Sequence, residues 1–335
     1  MARMERNLGF ELVRATEVAA MRAARWMGRG EREAADQAAV DGMRFVLDHI
    51  SMDGIVVIGE GEKDEAPMLY IGERLGTGSP PQVDIAVDPV EGTSLLAHGQ
   101  PGAISVVAVA GRGTLFGCRE VVYMDKLVVG PEAKDAIDLN APVAENIHNV
   151  ARAKGMDVED LTVVVLDRPR HAELIRQIRA TGARIRLIAH GDVAPSIQAM
   201  LPFSEVDMLM GIGGAPEAVI SACAARCLGG GIQCRLWPRD EQERQRALAA
   251  GLDLERLMTC DDLVRSDDVF LAATGITTSD FLRGVRYFPR GATTHSLVMR
   301  SASGTVRYIE STHHYEKLMR ISSIAFEQES RPRMR

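Results

Sequence analysis

The sequence DIAVDPVEGT, which occupies residues 84–93, is the most informative segment of the chain. An apolar stretch of strand character ends in two carboxylates three positions apart, Asp88 and Glu91. Pro89 fixes its own φ and holds Asp88 in an extended conformation, which predicts a defined turn after the strand. Gly92 lets the backbone approach a ligand closely, and the N–H groups after the turn can face an anion. Carboxylates beside free N–H groups suit metal ions that hold a phosphate.

The composition is that of an ordinary soluble globular protein. The chain has 335 residues, 46% hydrophobic and 25% charged, which is enough for two domains or one large α/β unit. The formal net charge of -7 argues against a general role in binding nucleic acid or a membrane surface. Local charge decides the binding of small anions, so an anionic substrate remains compatible with this total.

The cysteines and the N-terminus predict a cytoplasmic location. The five cysteines form no CxxC motif, which suggests reduced thiols. Cys223 and Cys227 are four positions apart on a predicted helix, and burial as small side chains is favoured over a redox pair or a metal site. No apolar run reaches the roughly 18 residues of a membrane helix. Residues 1–14 lack the apolar core of a signal peptide.

The pattern of apolar residues predicts an α/β fold. Helical periodicity covers residues 8–27 and 34–49, and clear strand–helix alternation begins near residue 145. The pattern also predicts a helix at 67–75, a strand at 114–116 and a glycine loop at 211–214. Two α/β domains that share an interface follow, an N-terminal metal-binding domain at 1–150 and a C-terminal substrate-binding domain at 151–335.

Acidic residues recur where predicted strands end or helices begin. Asp36 opens the second helix, Glu60 follows a strand, and Glu217 follows the glycine loop GIGGAP. Because ligands bind at the carboxyl ends of strands in open α/β sheets, these acids can converge with Asp88 and Glu91. Carboxylates without His or Cys partners favour Mg²⁺ or Mn²⁺ over structural zinc. The alternative is that the acids are helix N-caps and first-turn residues, and for Asp36 alone the two interpretations are equally good.

Basic residues follow the strand that ends at residue 166. Arg168 and Arg170 flank a proline there and can clamp a phosphate with two guanidinium groups. Tyr123 and Lys126 can add a hydroxyl group and a charge. A solvated helix start is the simpler explanation of the two arginines. The glycine loop lacks the third glycine of a dinucleotide fingerprint, and the chain has no Walker A motif.

Nine segments of the chain together resemble one enzyme family. The turn at residues 88–93 resembles the metal motif of the lithium-sensitive phosphatases. The nine segments taken together are similar to class II fructose-1,6-bisphosphatase. Several of them are most similar in sequence to photosynthetic members of that family, which also hydrolyse sedoheptulose-1,7-bisphosphate. The segments, in chain order, are WMGRG (26–30), ADQ (35–37), VIGEGE (57–62), EAPMLYIGE (65–73), VDPVEGT (87–93), YMDKL (123–127), DRPRH (167–171), GIGGAPE (211–217) and ATGIT (273–277).

The resemblance implies a layered α-β-α-β-α architecture and a set of site residues. Thr93 matches the hydroxyl group beside the attacking water, with Asp64 or Asp36 as the assisting acid. Two or more Mg²⁺ or Mn²⁺ ions are expected in each active site. The implied metal ligands are Asp36, Glu60, Asp88, Glu91 and Glu217. The implied substrate contacts are Glu91, Gly92, Thr93, Tyr123, Arg168, Arg170, Asp192 and Gly214.

The expected reaction is hydrolysis of the 1-phosphate of fructose-1,6-bisphosphate, with sedoheptulose-1,7-bisphosphate as a second candidate substrate. A homo-oligomer, a dimer or a tetramer, is also expected. Two alternatives stay open: an inositol monophosphatase-like or nucleotide-bisphosphate phosphatase, and a non-catalytic sugar-phosphate sensor. One departure concerns the segment His190-Gly191-Asp192, where the family usually has Asp-Gly-Asp, and it affects one sugar-hydroxyl contact. The segment after Leu236 is also shorter than usual.

Overall fold

The computed structural model describes residues 4–5, 7–61, 68–117 and 119–318. Strands and helices alternate along much of the chain. The described helices are α1 (Leu8–Ala23), α2 (Arg32–Asp48), α3 (Thr93–Ala97), α4 (Val143–Lys154), α5 (Ala172–Ala180), α6 (Val193–Met200), α7 (Ala215–Leu228), α8 (Glu241–Ala249), α9 (Cys260–Leu263) and α10 (Tyr315–Leu318). The described strands are β1 (Asp53–Ile58), β2 (Arg74–Leu75), β3 (Gln82–Glu91), β4 (Ile104–Gly111), β5 (Tyr123–Val129), β6 (Thr162–Leu166), β7 (Arg184–Ile188), β8 (Met208–Gly214), β9 (Gly231–Trp237), β10 (Met258–Thr259), β11 (Val269–Gly275), β12 (Arg286–Phe288), β13 (Gly291–Arg300) and β14 (Thr305–His314).

The strands form two sheets. The first has the order β12-β13-β11-β4-β3-β1-β2, with β14 also paired to β13, and the second has the order β10-β9-β5-β8-β6-β7. Pairing is mostly antiparallel, whereas β1 with β3 and β6 with both β7 and β8 are parallel. Strands β11 to β14 return to the first sheet after the second is complete. The two sheets therefore do not correspond to the two halves of the chain. The domain division at residue 150 stays a prediction.

The layers confirm the predicted α-β-α-β-α architecture. Helices α1 and α2 cover the outer face of the first sheet, α6 and α7 lie between the sheets, and α4 and α5 cover the second sheet. Helix α7 contacts strands of both sheets and is buried along most of its length, which explains its content of alanine and cysteine. Burial raises the pKa of the Cys223 and Cys227 thiols, in keeping with their interpretation as buried side chains.

Two predicted elements are wrong. Over residues 68–75, the predicted helix at 67–75 is instead a bend and a turn followed by β2, because the buried carboxylate of Glu73 accepts the Leu69 N–H and binds Arg44. The predicted strand at 114–116 makes a single bridge, from Leu115 to Val264. There the carboxylate of Asp84 accepts two successive backbone N–H groups, from Thr114 and Leu115, in place of a neighbouring strand.

The predicted glycine loop at 211–214 is also wrong, because these residues belong to β8. They pair with β5 up to the contact between Tyr123 and Gly214, so the glycines lie in a strand that ends at the start of α7. Helix α4 and strand β9 were not anticipated. Among the described residues, no helix combines the length and apolar character that crossing a membrane would require.

Candidate active site

The predicted site residues meet in one cavity of about 440 Å³. It lies between the two sheets, where β1, β3, β6, β7 and β8 end and α2, α3 and α7 begin. Every predicted metal ligand and substrate contact lines it, namely Asp36, Glu60, Asp88, Glu91, Gly92, Thr93, Tyr123, Arg168, Arg170, Asp192, Gly214 and Glu217. Asp64 lies outside the described residues. The roles assigned to these residues stay predictions.

A bulge in β3 turns its two acids toward the cavity. The strand extends to Glu91, beyond the turn predicted at Pro89. Side chains three positions apart in a regular strand face opposite sides. Asp88 pairs with Val106 and Glu91 with Ile104, so β3 has one more residue here than β4. This extra residue restores a common direction, and both carboxylates line the cavity.

Three of the carboxylates form a compact cluster. One oxygen from each of Asp88, Glu91 and Glu217 lies within 4.8 Å of the other two. Burial raises the pKa of Asp88 and Glu91 well above their usual range, and the neighbouring carboxylates add to the effect. Burial also raises the pKa of Glu217, next to Asp192. Anions held together in this way need positive charge to stay ionised.

The donor set fits a hard divalent cation. The Oε2 atom of Glu217 is buried and has no hydrogen-bond partner among the residues that the structure describes. A buried acceptor without a partner is costly unless something binds it. Within the part of the chain that the structure describes, the cluster consists of carboxylates alone, so its possible metal ligands are all oxygens. Oxygen-only sites of this kind favour Mg²⁺ or Mn²⁺.

Asp36 and Glu60 form a second acidic pair beside the cluster. Their side chains are hydrogen-bonded to each other, which requires a shared proton in the absence of a cation. Burial, followed by the charge of Asp36, raises the pKa of Glu60 to about 8. Burial also raises the pKa of Asp36. The pair can therefore exchange its proton for a metal ion near neutral pH.

The junction of β3 and α3 positions Thr93. Gly92 has φ of 85°, a left-handed conformation that glycine adopts without strain. The first helical bonds of α3 are donated by Leu95 and Leu96 to the Gly92 carbonyl, so the preceding N–H groups lie outside the helical pattern. The Thr93 hydroxyl donates to the Val90 carbonyl at 3.0 Å, and its two acceptor lone pairs remain for a water molecule.

The opposite wall of the cavity is basic. The guanidinium of Arg170 lies 4.9 Å from the centre of the Tyr123 ring and donates to the Ile212 carbonyl at 2.9 Å. Arg168 lies 3.3 Å from Nδ1 of His190. Burial lowers the pKa of His190, and the charge of Arg168 lowers it further. The ring is therefore neutral at pH 7 and can accept from the arginine.

Lys126 has a different position from the one expected. The sequence suggested that its charge faces the substrate, but the side chain is fully buried. Its Nζ lies 2.6 Å from Asp192 and donates to the Gly214 carbonyl at 3.2 Å. Burial lowers the pKa of this amine, but the charges of Asp192 and Glu217 outweigh that effect and raise it overall. Lys126 therefore anchors two predicted substrate contacts from behind the cavity.

Two glycines of β8 leave room for the acids. A Cβ atom on Gly214 would lie 1.7 Å from Oε2 of Glu217, and one on Gly213 would lie 2.0 Å from Oδ2 of Asp192. Gly213 and His190, which also line the cavity, were not among the predicted site residues. The signal for His190 was present in the sequence, since it lies two residues beyond the end of the parallel strand β7.

Comparison with known proteins identifies the family. The model of bacterial fructose-1,6-bisphosphatases, glpX-encoded, matches residues 6–313. The chain belongs to this family. It is 46% identical to fructose-1,6-bisphosphatase class 2 of Haemophilus influenzae, over 96% of this chain and all of that protein. It is also 46% identical to fructose-1,6-bisphosphatase 1 class 2 of Escherichia coli, over 94% of this chain and 97% of that protein.

A solved structure shows a weaker similarity. The extragenic suppressor protein suhB of Bartonella henselae is 16% identical and gives a TM-score of 0.35, covering 57% of this chain and 74% of that one. Membership of the fructose-1,6-bisphosphatase family therefore rests on the sequence match, which spans nearly the whole chain. The predicted resemblance to class II fructose-1,6-bisphosphatase is confirmed, and the likeness to photosynthetic members stays a prediction.

Proposed function

We propose that this chain hydrolyses the 1-phosphate of fructose-1,6-bisphosphate to give fructose-6-phosphate and phosphate. As a member of its family it is a phosphoric monoester hydrolase. The observation that carries the proposal is the cavity itself, which places a compact, largely buried cluster of three carboxylates on one wall and two arginines on another. A substrate with phosphates at both ends matches a site with two separate phosphate-binding regions.

The carboxylates would hold the metal ions. Asp88, Glu91 and Glu217 form the compact set, and Asp36 and Glu60 the adjacent pair. Divalent ions bound there would neutralise the phosphate charge, lower the pKa of a bound water and stabilise the leaving oxygen. The unpartnered Oε2 of Glu217 and the raised pKa values of the acids support this assignment.

The chain's own groups orient the reacting end of the substrate. Thr93 would accept a hydrogen bond from the attacking water, because its own proton is given to the Val90 carbonyl. The N–H groups at the start of α3 would hold oxygens of the scissile phosphate. Water would add to phosphorus and give a proton to the assisting carboxylate, the bond to the sugar oxygen would break, and that oxygen would take up the proton in turn. The assisting acid is proposed to be Asp64 or Asp36.

The arginines would bind the distal phosphate. Arg168 and Arg170 present two guanidinium groups, a geometry suited to phosphate oxygens. The Nε atom of Arg170 is buried without a partner among the described residues, which supports a ligand contact there. Tyr123, Asp192 and Gly214 line the space between the two ends and are proposed to contact the sugar. Binding at the distal end would orient the reacting end.

The second substrate, the identity of the metal ion, the oligomeric state and the location of the protein are also proposals. Sedoheptulose-1,7-bisphosphate is proposed as a second substrate, because it too carries a phosphate at each end. Magnesium and manganese fit the oxygen ligands equally well. A dimer or tetramer and a cytoplasmic location are carried forward from the sequence.

A substrate panel tests the proposal. Chelator-treated enzyme is assayed for phosphate release from fructose-1,6-bisphosphate, sedoheptulose-1,7-bisphosphate, inositol 1-phosphate and a nucleotide bisphosphate, with Mg²⁺ or Mn²⁺ restored. We expect activity on the sugar bisphosphates that requires a metal. Preference for inositol phosphate or the nucleotide would establish the alternative phosphatase, and tight binding without turnover would establish a sensor.

The variant Glu91→Gln tests the proposed metal ligands in the same assay. Glu91 accepts the Val193 N–H at 3.0 Å, and the glutamine carbonyl can still accept it, so the change removes mainly the charge. We expect kcat to fall by about 10²-fold or more at subsaturating metal, through loss of one anionic ligand. Unchanged activity and metal dependence in Glu91→Gln would rule out the proposed ligand set.

A further inference from the structure

Strands β6 and β8 separate just before the basic wall of the cavity. Their parallel pairing covers Val163 with Met208 and Val164 with Leu209, and the ladder between them goes no further within the described residues. On its other edge β6 stays paired with β7 to its end, up to Leu166. The separation therefore opens a gap on one side of β6 only.

The side chain of His171 fills this gap. Extending the register by two residues would place Leu166 opposite residue 211, and its carbonyl would then accept the Ile212 N–H. Instead the imidazole lies between them, with Nδ1 2.7 Å from the Leu166 carbonyl and Nε2 2.8 Å from the Ile212 nitrogen. Because Nε2 accepts from an N–H group, the network assigns the neutral ring with its proton on Nδ1.

The surroundings of the ring are built to hold it. His171 is 1% exposed. Burial lowers its pKa, and the charge of Arg170 contributes, which keeps the ring neutral as the hydrogen bonds require. Gly211 has φ of +117°, and a Cβ atom there would lie 3.0 Å from Nε2 of the imidazole. A larger residue would be strained and would crowd the ring.

The adjacent arginine uses the same gap. The carbonyl of Ile212 accepts from Arg170, while its N–H donates to His171, so two neighbouring side chains take both backbone groups of one residue. Arg170 then reaches the cavity wall against the Tyr123 ring. Direct pairing of Leu166 with Ile212 would draw Ile212 toward β6, and the carbonyl that holds Arg170 would move with it.

We propose that His171 is a positioning residue that replaces one hydrogen bond of the β6–β8 ladder, holds the gap open and so fixes Arg170 for binding the distal phosphate. This inference rests on the proposed function, which assigns Arg170 to that phosphate. His171 itself lies behind the cavity wall and is absent from its lining among the described residues.

The test compares His171→Phe with His171→Gln. Phenylalanine fills the gap but makes neither hydrogen bond, whereas the glutamine amide keeps one donor and one acceptor. The readout is kcat/KM for fructose-1,6-bisphosphate divided by kcat/KM for p-nitrophenyl phosphate, which has no distal phosphate. We expect this ratio to fall by roughly tenfold or more in His171→Phe, mainly through KM, and to recover largely in His171→Gln. A general structural defect would lower both activities together and leave the ratio unchanged.

The variant Arg170→Met separates the proposed role of Arg170 in binding the distal phosphate from the proposed role of His171 in positioning it. If it leaves the ratio unchanged, the assignment of Arg170 fails, and the inference about His171 fails with it. If it lowers the ratio while His171→Phe does not, the inference alone is wrong. Should His171→Phe fail to fold, ¹⁵N NMR of the unmodified enzyme decides: the neutral Nδ1–H form supports the inference, and an imidazolium or an Nε2–H form overturns it.

Discussion

At the scale of single residues, Lys126 shows how a charge can serve a site without facing it. The amine is fully buried and satisfies the Asp192 carboxylate and the Gly214 carbonyl at once. A buried ion pair is weak evidence for stability in itself, but breaking one leaves an uncompensated charge in a poorly solvated place. The contact therefore links the placement of two predicted substrate contacts to the stability of the protein.

Replacement of this lysine tests that link. We expect Lys126→Met to lower the free energy of unfolding by about 3–5 kcal/mol, since Asp192 stays buried without its partner. Adding Asp192→Asn to the same variant should restore a substantial part of the loss. Denaturant unfolding of the unmodified protein and of these two variants measures both effects. A cost for Lys126→Met below about 1 kcal/mol would mean that Asp192 finds water or another donor.

At the scale of elements, much of the fold and of the site followed from the sequence, and the errors have local causes. Strand β6 ends at residue 166, as the sequence predicted, because its apolar run is short and uninterrupted. The helix at 67–75 failed because a buried carboxylate, Glu73, organises the turns, and such a long-range contact leaves no periodic signal. The bulge in β3 and the burial of Lys126 were hidden for the same reason, since both depend on partners distant in sequence.

The junction between β8 and α7 allows a test of how glycine shapes the metal site. Gly214 has φ of -62°, so alanine is accepted without backbone strain, but its Cβ would lie 1.7 Å from Oε2 of Glu217. We expect Gly214→Ala to displace that carboxylate and to lower metal affinity by about tenfold or more, with a small change in stability.

The control for this prediction is a double-mutant cycle with Glu217→Ala. Once the carboxylate is removed, the alanine at 214 has nothing to displace, so it should add little to the loss of metal affinity. Isothermal titration with Mn²⁺ measures all four proteins. Additive losses would show that Gly214 acts on the metal by a route other than Glu217.

At the scale of the whole molecule, the cavity is also where the two sheets are joined. Glu91, at the end of β3 in the first sheet, accepts the N–H of Val193, at the start of α6 against the second. Half-buried acids from α2, β3, α7 and the segment that follows β1 meet there with raised pKa values. The charge state of this one region therefore affects packing across the molecule, and stability should respond to pH and to metal together.

The sign of that response follows from Glu60. Its pKa is about 8 in the folded protein against an ordinary 4.5, so between these values the folded state binds a proton that the unfolded state has lost. Stability of the metal-free protein should therefore fall as pH rises through this window and level off above it. Bound Mg²⁺ or Mn²⁺ replaces the proton, so the metal should raise Tm more at pH about 8 than at pH about 5. Calorimetry of the chelated and the metal-loaded protein measures how Tm changes with pH in each state. The Glu60→Gln variant should show a smaller change of Tm with pH in the metal-free state. A metal-free Tm that rises across the window, or a Glu60→Gln variant with the same slope, would show that this acid is not the group that couples pH to folding.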